Sequence, residues 1–255
     1  MLRTGILCGA LLLSTPALAA EPTVIHVGDR LARLELVKPG VHRYLRYKIL
    51  GEQRELIDIW TRRVSLESQQ MHIVQRWDEI GPPAFYLIQD SWFDPSTFRP
   101  TTHVRRGNKT GEVKVKAYRF LPDEIIGMAD LAENTDKDYR MAATEPAFNF
   151  EYDMEFLQAL PLVEGYQASI PFFDAGIDKK PDRYVFKVAG SEKIQGPDGG
   201  LVDCWLVTAD YNTGQVRSRF WFDKKTQLMI HEEAPLEGGG MLVKTLIGSE
   251  SADKA

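Results

Sequence analysis

The segment VDCWLVTADYNTGQVRSRFWFDKKTQLMIHEE, residues 202–233, decides the fold class. Its three short apolar runs are separated by sequences rich in Asn, Gly, Asp and Lys, which is typical of antiparallel hairpins. We expect NTG, residues 212–214, to form a three-residue loop with Gly214 in the left-handed conformation. Such a loop determines which residues face each other across the ribbon.

The expected pairing is Leu206 with Phe220 and Trp205 with Trp221, and it separates two faces. One is a plain core face that carries Cys204, Leu206, Phe220, Phe222, Leu228 and Ile230. The other mixes large aromatic side chains with cations and carries Trp205, Val207, Arg217, Arg219, Trp221, Met229 and His231. This second face is either a solvated surface whose indoles and arginine stems cover one another, or the lining of a groove for an amphipathic ligand with an anionic end.

Most of the remaining chain has the two-residue period of half-buried strands. These runs are short, rich in β-branched and aromatic residues and bounded by turn residues. They cover residues 40–50, 55–67, 70–80, 84–93, 97–106, 111–122, 166–173 and 183–194. We find no internal repeat and no domain linker in the sequence.

Residues 148–160, within FNFEYDMEFLQALP, break this period and predict a helix of about three turns. Asn149 is a candidate N-cap, and Glu151 and Asp153 lie where the helix dipole favours acidic groups. Asp153 and Tyr152 fall within a very wide apolar sector of the helix. The presence of the Asp153 carboxylate in this sector is explained either by helix-end electrostatics or by contact with a ligand. Because the apolar sector is so wide, we expect this helix to lie on the concave face of a curved sheet.

Together the patterns predict a mainly β protein, a curved antiparallel meander sheet or open half-barrel with one helix packed against or inside it. The chain of 255 residues is long enough to bury a core of its own. We expect residues 1–20 to be a signal peptide, 21–250 a single β-rich domain and 251–255 a disordered tail.

The N-terminus, MLRTGILCGALLLSTPALAAEP, has the pattern of a cleavable export signal: one basic residue, a short apolar run and a small-residue end. Ala17 and Ala19 have the A-x-A spacing of a signal peptidase site, so we expect cleavage near Ala19 or Ala20. The mature chain is therefore predicted to be periplasmic or secreted.

Composition argues against several kinds of partner. Cleavage would leave Cys204 as the only cysteine, which cannot close an intramolecular disulfide. The formal charge of −5 becomes −6 once Arg3 is removed, which argues against non-specific nucleic-acid binding. No later run reaches the roughly 18 apolar residues that a membrane-spanning helix needs.

The last 70 or so residues resemble the closing strands of a secreted bacterial family of uncharacterised β proteins, which is similar to the lipoprotein-carrier half-barrels of the Gram-negative envelope. The resemblance rests on Gly190 and Glu192 in a strand, on the turn at residues 196–200, and on an aromatic strand that ends in an Asp-led turn. It implies an open antiparallel sheet with an apolar cavity, and it implies no catalytic residue. DSWFDPSTFRPTTHVRR, residues 90–106, departs from that family.

Motifs for catalysis and cofactors are weak. The five histidines have no metal-ligand spacing, the sequence has no phosphate loop, and Cys204 lies in mid-strand, where a thiol is usually inert. We therefore predict no metal and no cofactor. The remaining catalytic hypothesis is a pair of carboxylates, drawn from Asp58, Asp90 and Asp153, that meet in a cleft.

The favoured function is a non-enzymatic exported envelope protein that binds an apolar or amphipathic ligand in the hollow of its sheet. The predicted ligand-binding residues are Trp205, Trp221, Arg219, His231, Tyr152 and Asp153. One alternative is a hydrolase of cell-wall or glycan material that uses carboxylates near Asp90 and Asp153. Another is a structural or interaction module whose edge strands pair with a partner.

Overall fold

A computed structural model describes residues 21–81, 85–108, 111–175, 179–214 and 218–252. The predicted signal peptide and the last three residues of the predicted tail lie outside these ranges. The first tail residue, Ser251, belongs to a strand. Within the described ranges no helix is long and apolar enough to cross a membrane.

The described residues form sixteen strands, one short α-helix and two 3-10 helices. The strands are β1 (Thr23–Val24), β2 (Gly40–Leu50), β3 (Gln53–Glu67), β4 (Gln70–Glu79), β5 (Tyr86–Phe93), β6 (Pro100–Gly107), β7 (Lys114–Phe120), β8 (Glu124–Gly127), β9 (Arg140–Ala142), β10 (Phe148–Asn149), β11 (Gln167–Phe173), β12 (Asp182–Gln195), β13 (Leu201–Ala209), β14 (Ser218–Asp223), β15 (Met229–Pro235) and β16 (Met241–Ser251). The α-helix is α1 (Asp153–Gln158), and the 3-10 helices are Leu34–Leu36 and Phe150–Tyr152.

All the strands belong to one sheet. Its order is β1-β11-β12-β13-β14-β15-β16-β2-β3-β4-β5-β6-β7-β8-β9, with β10 added beside β11. The pairs are antiparallel except those of β1 and β10 with β11. The sheet is not closed, so the predicted fold class, a mainly β open half-barrel with one helix, is confirmed.

Aromatic side chains bring the two ends of this sheet together. Phe173 on β11 lies 6.1 Å from Tyr118 and 5.9 Å from Phe120 on β7, measured between ring centroids. Tyr139, just before β9, lies 6.4 Å from the same ring. We call this junction the seam. Packing at the seam gives the sheet a barrel-like shape, although none of the ladders between its strands closes the ring.

The helix is shorter than predicted. Phe148 and Asn149 pair in parallel with β11 and so form a strand, and the three residues after them form a 3-10 helix. Asn149 does act as an N-cap, because its side chain accepts a hydrogen bond from the backbone N–H of Glu151 at 3.1 Å, but it caps the 3-10 helix. The α-helix begins only at Asp153, because the sheet takes up the backbone of the first two residues.

The helix fills part of the hollow inside the sheet. The ring of Phe156 lies 4.5 Å from Phe148, 5.5 Å from Phe98 and 5.6 Å from Phe172. Phe156 and its neighbour Leu157 are fully buried. Around the helix, therefore, the concave face is packed core.

Two turns with the same sequence pattern hold this helix. W-F-D-x-x-T occurs at residues 92–97, between β5 and β6, and again at 221–226, between β14 and β15. In both, the aspartate accepts hydrogen bonds from the backbone N–H and the hydroxyl of the threonine. The next residue has a positive φ, 55° at Phe98 and 51° at Gln227, and its side chain is buried. The expectation that the chain has no internal repeat is wrong for this short motif.

The two turns contact opposite ends of the helical segment. The carbonyl oxygen of Phe98 accepts a hydrogen bond from the Tyr152 hydroxyl at 2.7 Å. At the other end, Nε2 of Gln227 donates to the carbonyl oxygens of Gln158 at 2.8 Å and Leu160 at 2.7 Å. The second turn therefore caps the last carbonyl of the helix, that of Gln158, and adds a second donor to the Leu160 carbonyl, which also accepts from the Leu162 N–H.

We expect Gln227→Ala to lower the free energy of unfolding by about 1–2 kcal/mol, because the Gln158 carbonyl loses its donor and the Leu160 carbonyl keeps only the Leu162 N–H. Equilibrium urea unfolding followed by circular dichroism measures this difference. Lys225→Ala, an exposed position in the same turn, is the matched control and should change little. Equal effects of the two substitutions would contradict the capping role.

Candidate functional site

The register of the β13–β14 hairpin differs from the predicted one by a single residue. Trp205 pairs with Phe222, and Leu206 pairs with Trp221. The described parts of the two strands, which end at Ala209 and resume at Ser218, pair one residue out of the predicted register. A slip of one residue moves every side chain of a strand to the other face. The predicted pairing is therefore wrong.

Trp205 and Trp221 consequently lie on opposite faces of the sheet. Trp205 shares the helix-facing side with Phe220 and Phe222, and that side reaches the helix through a chain of aromatic contacts. Of the predicted core face, Cys204, Phe220, Phe222 and Ile230 are buried as expected. The register places Cys204 and Leu206, however, on the side away from the helix. Arg217 lies outside the described residues.

Trp221, Arg219 and His231 do lie together, on the side of the sheet away from the helix. The Trp221 indole donates to Oε2 of Glu192 at 2.9 Å, and its ring lies 5.1 Å from the ring of His231. The guanidinium of Arg219 lies 5.4 Å from the Trp221 ring and pairs with Glu233 at 2.5 Å. The indole N–H and the guanidinium are thus partnered, and only 4% of Trp221 is exposed. This geometry favours the interpretation in which arginine stems and indoles cover one another.

Tyr152 and Asp153, the other predicted ligand-binding residues, lie on the inner side. Tyr152 is fully buried, and its hydroxyl also accepts a hydrogen bond from the backbone N–H of Asn149 at 3.2 Å, so its contacts are structural. Asp153 is half-buried, and burial raises the pKa of its carboxyl to about 7. The cations Arg62 and Lys244 act in the opposite direction without cancelling this effect.

A buried ion pair joins the helix to the sheet. Arg62 on β3 donates from Nε to Oε1 of Glu155 at 2.9 Å, and its Nη2 also contacts the second carboxylate oxygen. Its Nη1 donates to Oε1 of Gln75 at 2.7 Å. Both charged side chains are almost completely buried, with 1% of Arg62 and 4% of Glu155 exposed. Sequence reasoning missed this pair, because its partners lie on elements far apart in the chain.

A second acidic group with a raised pKa lies near the start of the helix. Burial, together with the charge of Asp174, raises the pKa of Glu151 to about 7. Arg105, whose Nη1 lies 4.0 Å from the Glu151 carboxylate, and a hydrogen bond from Gln89 lower it. At neutral pH, both Glu151 and Asp153 therefore hold a substantial fraction of protonated carboxyl.

A small polar cluster lies beside Glu151 on the inner wall of β5 and β6. Ser91 Oγ lies 2.9 Å from Nδ1 of His103 and accepts a hydrogen bond from the Asn149 amide at 3.2 Å. Burial lowers the pKa of His103 to about 3, so its ring is neutral. In the part of the chain that the structure describes, His103 Nε2 and Gln89 Oε1 have no hydrogen-bond partner. Sequence reasoning also missed this cluster.

The structure does not bring the predicted carboxylates together. Asp90 alternates along β5 with the inward residues Gln89 and Ser91, so it lies on the other side of the sheet from Asp153. There it binds Nε2 of His72 at 3.0 Å. Asp58 is inside but is held by two nitrogens of the Arg46 guanidinium, Nε and Nη2. The hydrolase hypothesis therefore loses the pair near Asp90 and Asp153 on which it was based.

Cys204 is a buried, free thiol, and burial raises its pKa to about 12. A thiol of this kind is a poor nucleophile, because the thiolate is the reactive form. No group of three or more His, Cys, Asp or Glu side chains among the described residues could hold a metal ion.

A cleft of about 270 Å³ opens beside the seam. We call it the seam cleft, and it is lined by Val27, Arg99, Pro100, Thr101, Phe120, Leu121, Pro122, Pro146 and Ala147. Seven of these nine residues are apolar or proline. Arg99 is the only charged one, and its side chain is exposed. The cleft was not predicted, because it combines the N-terminal segment with the ends of β6, β7 and the segment before β10.

These features define an open, β-barrel-like protein with a helix inside its sheet. Residues 47–244 match the family described as "Protein of unknown function (DUF3108)", and the chain belongs to that family. No curated protein matches the sequence. The prediction that the chain belongs to an uncharacterised family of β proteins is thus confirmed. That the family is secreted and similar to lipoprotein carriers stays a prediction.

The fold is similar to that of a solved structure, the crystal structure of a β-barrel-like protein of the domain of unknown function DUF1849 from Brucella abortus. The TM-score is 0.51 at 10% sequence identity, and the alignment covers 85% of this chain and 99% of the other. At this level of identity the similarity concerns the fold alone.

Proposed function

We propose that this protein is an exported, non-enzymatic envelope protein that binds a small amphipathic molecule with an anionic end in the seam cleft. The observation that carries the proposal is the composition of this cleft, an apolar lining with a single cation, Arg99. Sites for small molecules typically combine apolar walls with a few polar groups that orient the ligand. The export part of the proposal rests on the N-terminal sequence pattern.

The walls of the seam cleft suit an apolar chain. Phe120 belongs to the aromatic packing of the seam, and Ala147 is buried beside it, so both have fixed positions. Three prolines in the lining restrict the backbone around it. Such rigidity lowers the ordering cost of binding. Because 270 Å³ lies just below the ~300 Å³ at which ligand sites usually begin, the ligand is small or inserts only its apolar end.

Arg99 is available to an anion. Its guanidinium lies above Gly28, where a β-carbon would come within 3.1 Å of Nη2, so the glycine leaves room for it. No carboxylate of the described residues forms an ion pair with Arg99, whereas Arg43 and Arg119 are paired with Glu250 and Asp130. A guanidinium binds carboxylates and phosphates through two parallel hydrogen bonds, which gives direction as well as affinity.

The test uses the exported chain purified without detergent. Native mass spectrometry should show a bound species, and decanoate, as a probe, should bind in isothermal titration calorimetry. We expect Arg99→Gln to weaken decanoate binding about tenfold or more, because a charge-assisted hydrogen bond is lost. Val27→Phe, which places a larger side chain in the cleft, should weaken it as well.

Arg119→Gln is the matched control. Arg119 lies on a neighbouring strand, and its guanidinium already has a carboxylate partner, Asp130. It should leave decanoate affinity unchanged. A protein that carries no bound species and binds decanoate equally well with Arg99→Gln would rule out the seam cleft as the site.

A further inference from the structure

Two buried polar atoms on the inner wall have no protein partner in the described part of the chain. They are Nε2 of His103, in a residue with 0% exposure, and Oε1 of Gln89, in a residue with 3% exposure. Buried polar side-chain atoms in folded proteins almost always have a hydrogen-bond partner, from the protein or from a bound molecule. Two such atoms close to each other therefore point to a molecule that binds both.

The register of the sheet places these two side chains next to each other. Ser91 pairs with His103, and Gln89 pairs with Arg105, across β5 and β6. Gln89 and His103 are therefore diagonal neighbours on the same face, roughly 7–8 Å apart at their Cα atoms. Both point toward the segment that leads into the helix, where Asn149 contacts Ser91.

The hydrogen bonds around His103 determine what its free nitrogen can do. Ser91 is fully buried, and among the described residues Nδ1 of His103 is the acceptor within reach of its hydroxyl, so the hydroxyl donates to Nδ1 while its oxygen accepts from the Asn149 amide. A neutral ring that accepts at Nδ1 carries its hydrogen on Nε2. The free nitrogen is therefore a donor.

The free atom of Gln89 has the opposite role. The Gln89 side chain interacts with the Glu151 carboxylate, an acceptor that attracts the amide NH2 group to its side. Its carbonyl oxygen, Oε1, is left as an acceptor. The wall thus offers one donor and one acceptor on diagonal neighbours of the same face.

We propose that His103 and Gln89 form a binding site for a hydroxyl group, which accepts a hydrogen bond from His103 Nε2 and donates one to Gln89 Oε1. An O–H group has both capacities at one atom, whereas a carboxylate or an ammonium has only one. This site is separate from the seam cleft, and the proposal does not depend on the proposed function.

The hydroxyl group has two sources, a water molecule or a polyol. Arg105 and Glu151 lie at the rim of the site, and their side chains are 33% and 14% exposed. Both can form hydrogen bonds with further hydroxyl groups of a sugar or with further water molecules, so the rim fits either source. The two sources differ in what is attached to the oxygen, and this difference is measurable.

The test is a high-resolution crystal structure of the protein, grown without polyols and again with glucose, together with calorimetric titration of glucose in solution. An isolated density peak within hydrogen-bond distance of both atoms supports the site with water as its occupant. Continuous density for glucose at the same position, with saturable binding in solution, supports the site with a polyol as its occupant. In the second case, Gln89→Met should weaken glucose binding at least tenfold, whereas Gln53→Met, at an exposed strand position, should not.

The proposal is overturned if neither crystal has density that bridges the two atoms, or if Nε2 of His103 donates to a protein group. These readouts come from the wild-type protein, so they do not depend on whether a variant folds. Circular dichroism verifies that Gln89→Met keeps the native spectrum.

Discussion

Replacing Glu155 with glutamine is expected to lower the free energy of unfolding by about 3–5 kcal/mol. Arg62 is completely buried and pairs with this carboxylate, so the substitution leaves an uncompensated charge inside the sheet. Urea unfolding of the wild-type protein and of Glu155→Gln at neutral pH measures the difference. The effect should be among the largest of any single substitution, because few other mechanisms reach this size.

Two further variants separate the charge from the packing. The double variant Arg62→Met, Glu155→Leu removes both charges and keeps similar volumes, so it should recover most or all of the lost stability. Glu250→Gln breaks the exposed pair with Arg43 and should cost at most about 1 kcal/mol. If the double variant is as unstable as Glu155→Gln, the buried pair is not the cause of the loss.

Asp153→Asn is expected to stabilise the protein by about 2–3 kcal/mol near pH 8 and to have almost no effect below about pH 4. Burial raises the pKa of this carboxyl from 3.8 to about 7 in the folded state. Between these two values the folded state binds more protons than the unfolded state, so the carboxyl lowers stability as the pH rises. The amide carries no charge and avoids this cost at every pH.

Unfolding free energies of wild type and Asp153→Asn across this pH range provide the test, and their difference should grow with pH. Asp94→Asn is a control of opposite sign. Hydrogen bonds from the Ser96 side chain, and then from Thr97, outweigh burial and lower the pKa of Asp94. Its charged form therefore stabilises the fold, and its replacement should destabilise at high pH and matter little at low pH. A pH-independent effect of Asp153→Asn would show that its carboxyl is not perturbed by folding.

The strand content and the position of the helical segment could be predicted, because side-chain period is a local property. Alternation in residues 40–50 and 70–80 gave β2 and β4 to within a residue. The short strands β1, β8, β9 and β10, of two to four residues, were not predicted, since so few residues show no period. The repeated W-F-D-x-x-T motif, at residues 92–97 and 221–226, is likewise a local feature of the sequence.

The candidate site could not be predicted to the same extent. The faces of the β13–β14 hairpin depended on its register, and a difference of one residue moved Trp221 to the other side from Trp205. The seam cleft depends on how the two ends of the sheet approach each other, which no local pattern records.

The amino-acid sequence by itself therefore determined the antiparallel β architecture and the place of one helix, because hydrophobic period and turn chemistry act over a few neighbouring residues. Only the tertiary structure decided that Arg62 meets Glu155, 93 residues further along the chain, and that His103 and Gln89 leave a donor and an acceptor side by side. Such contacts depend on strand register and sheet curvature, which are set by all the pairings together.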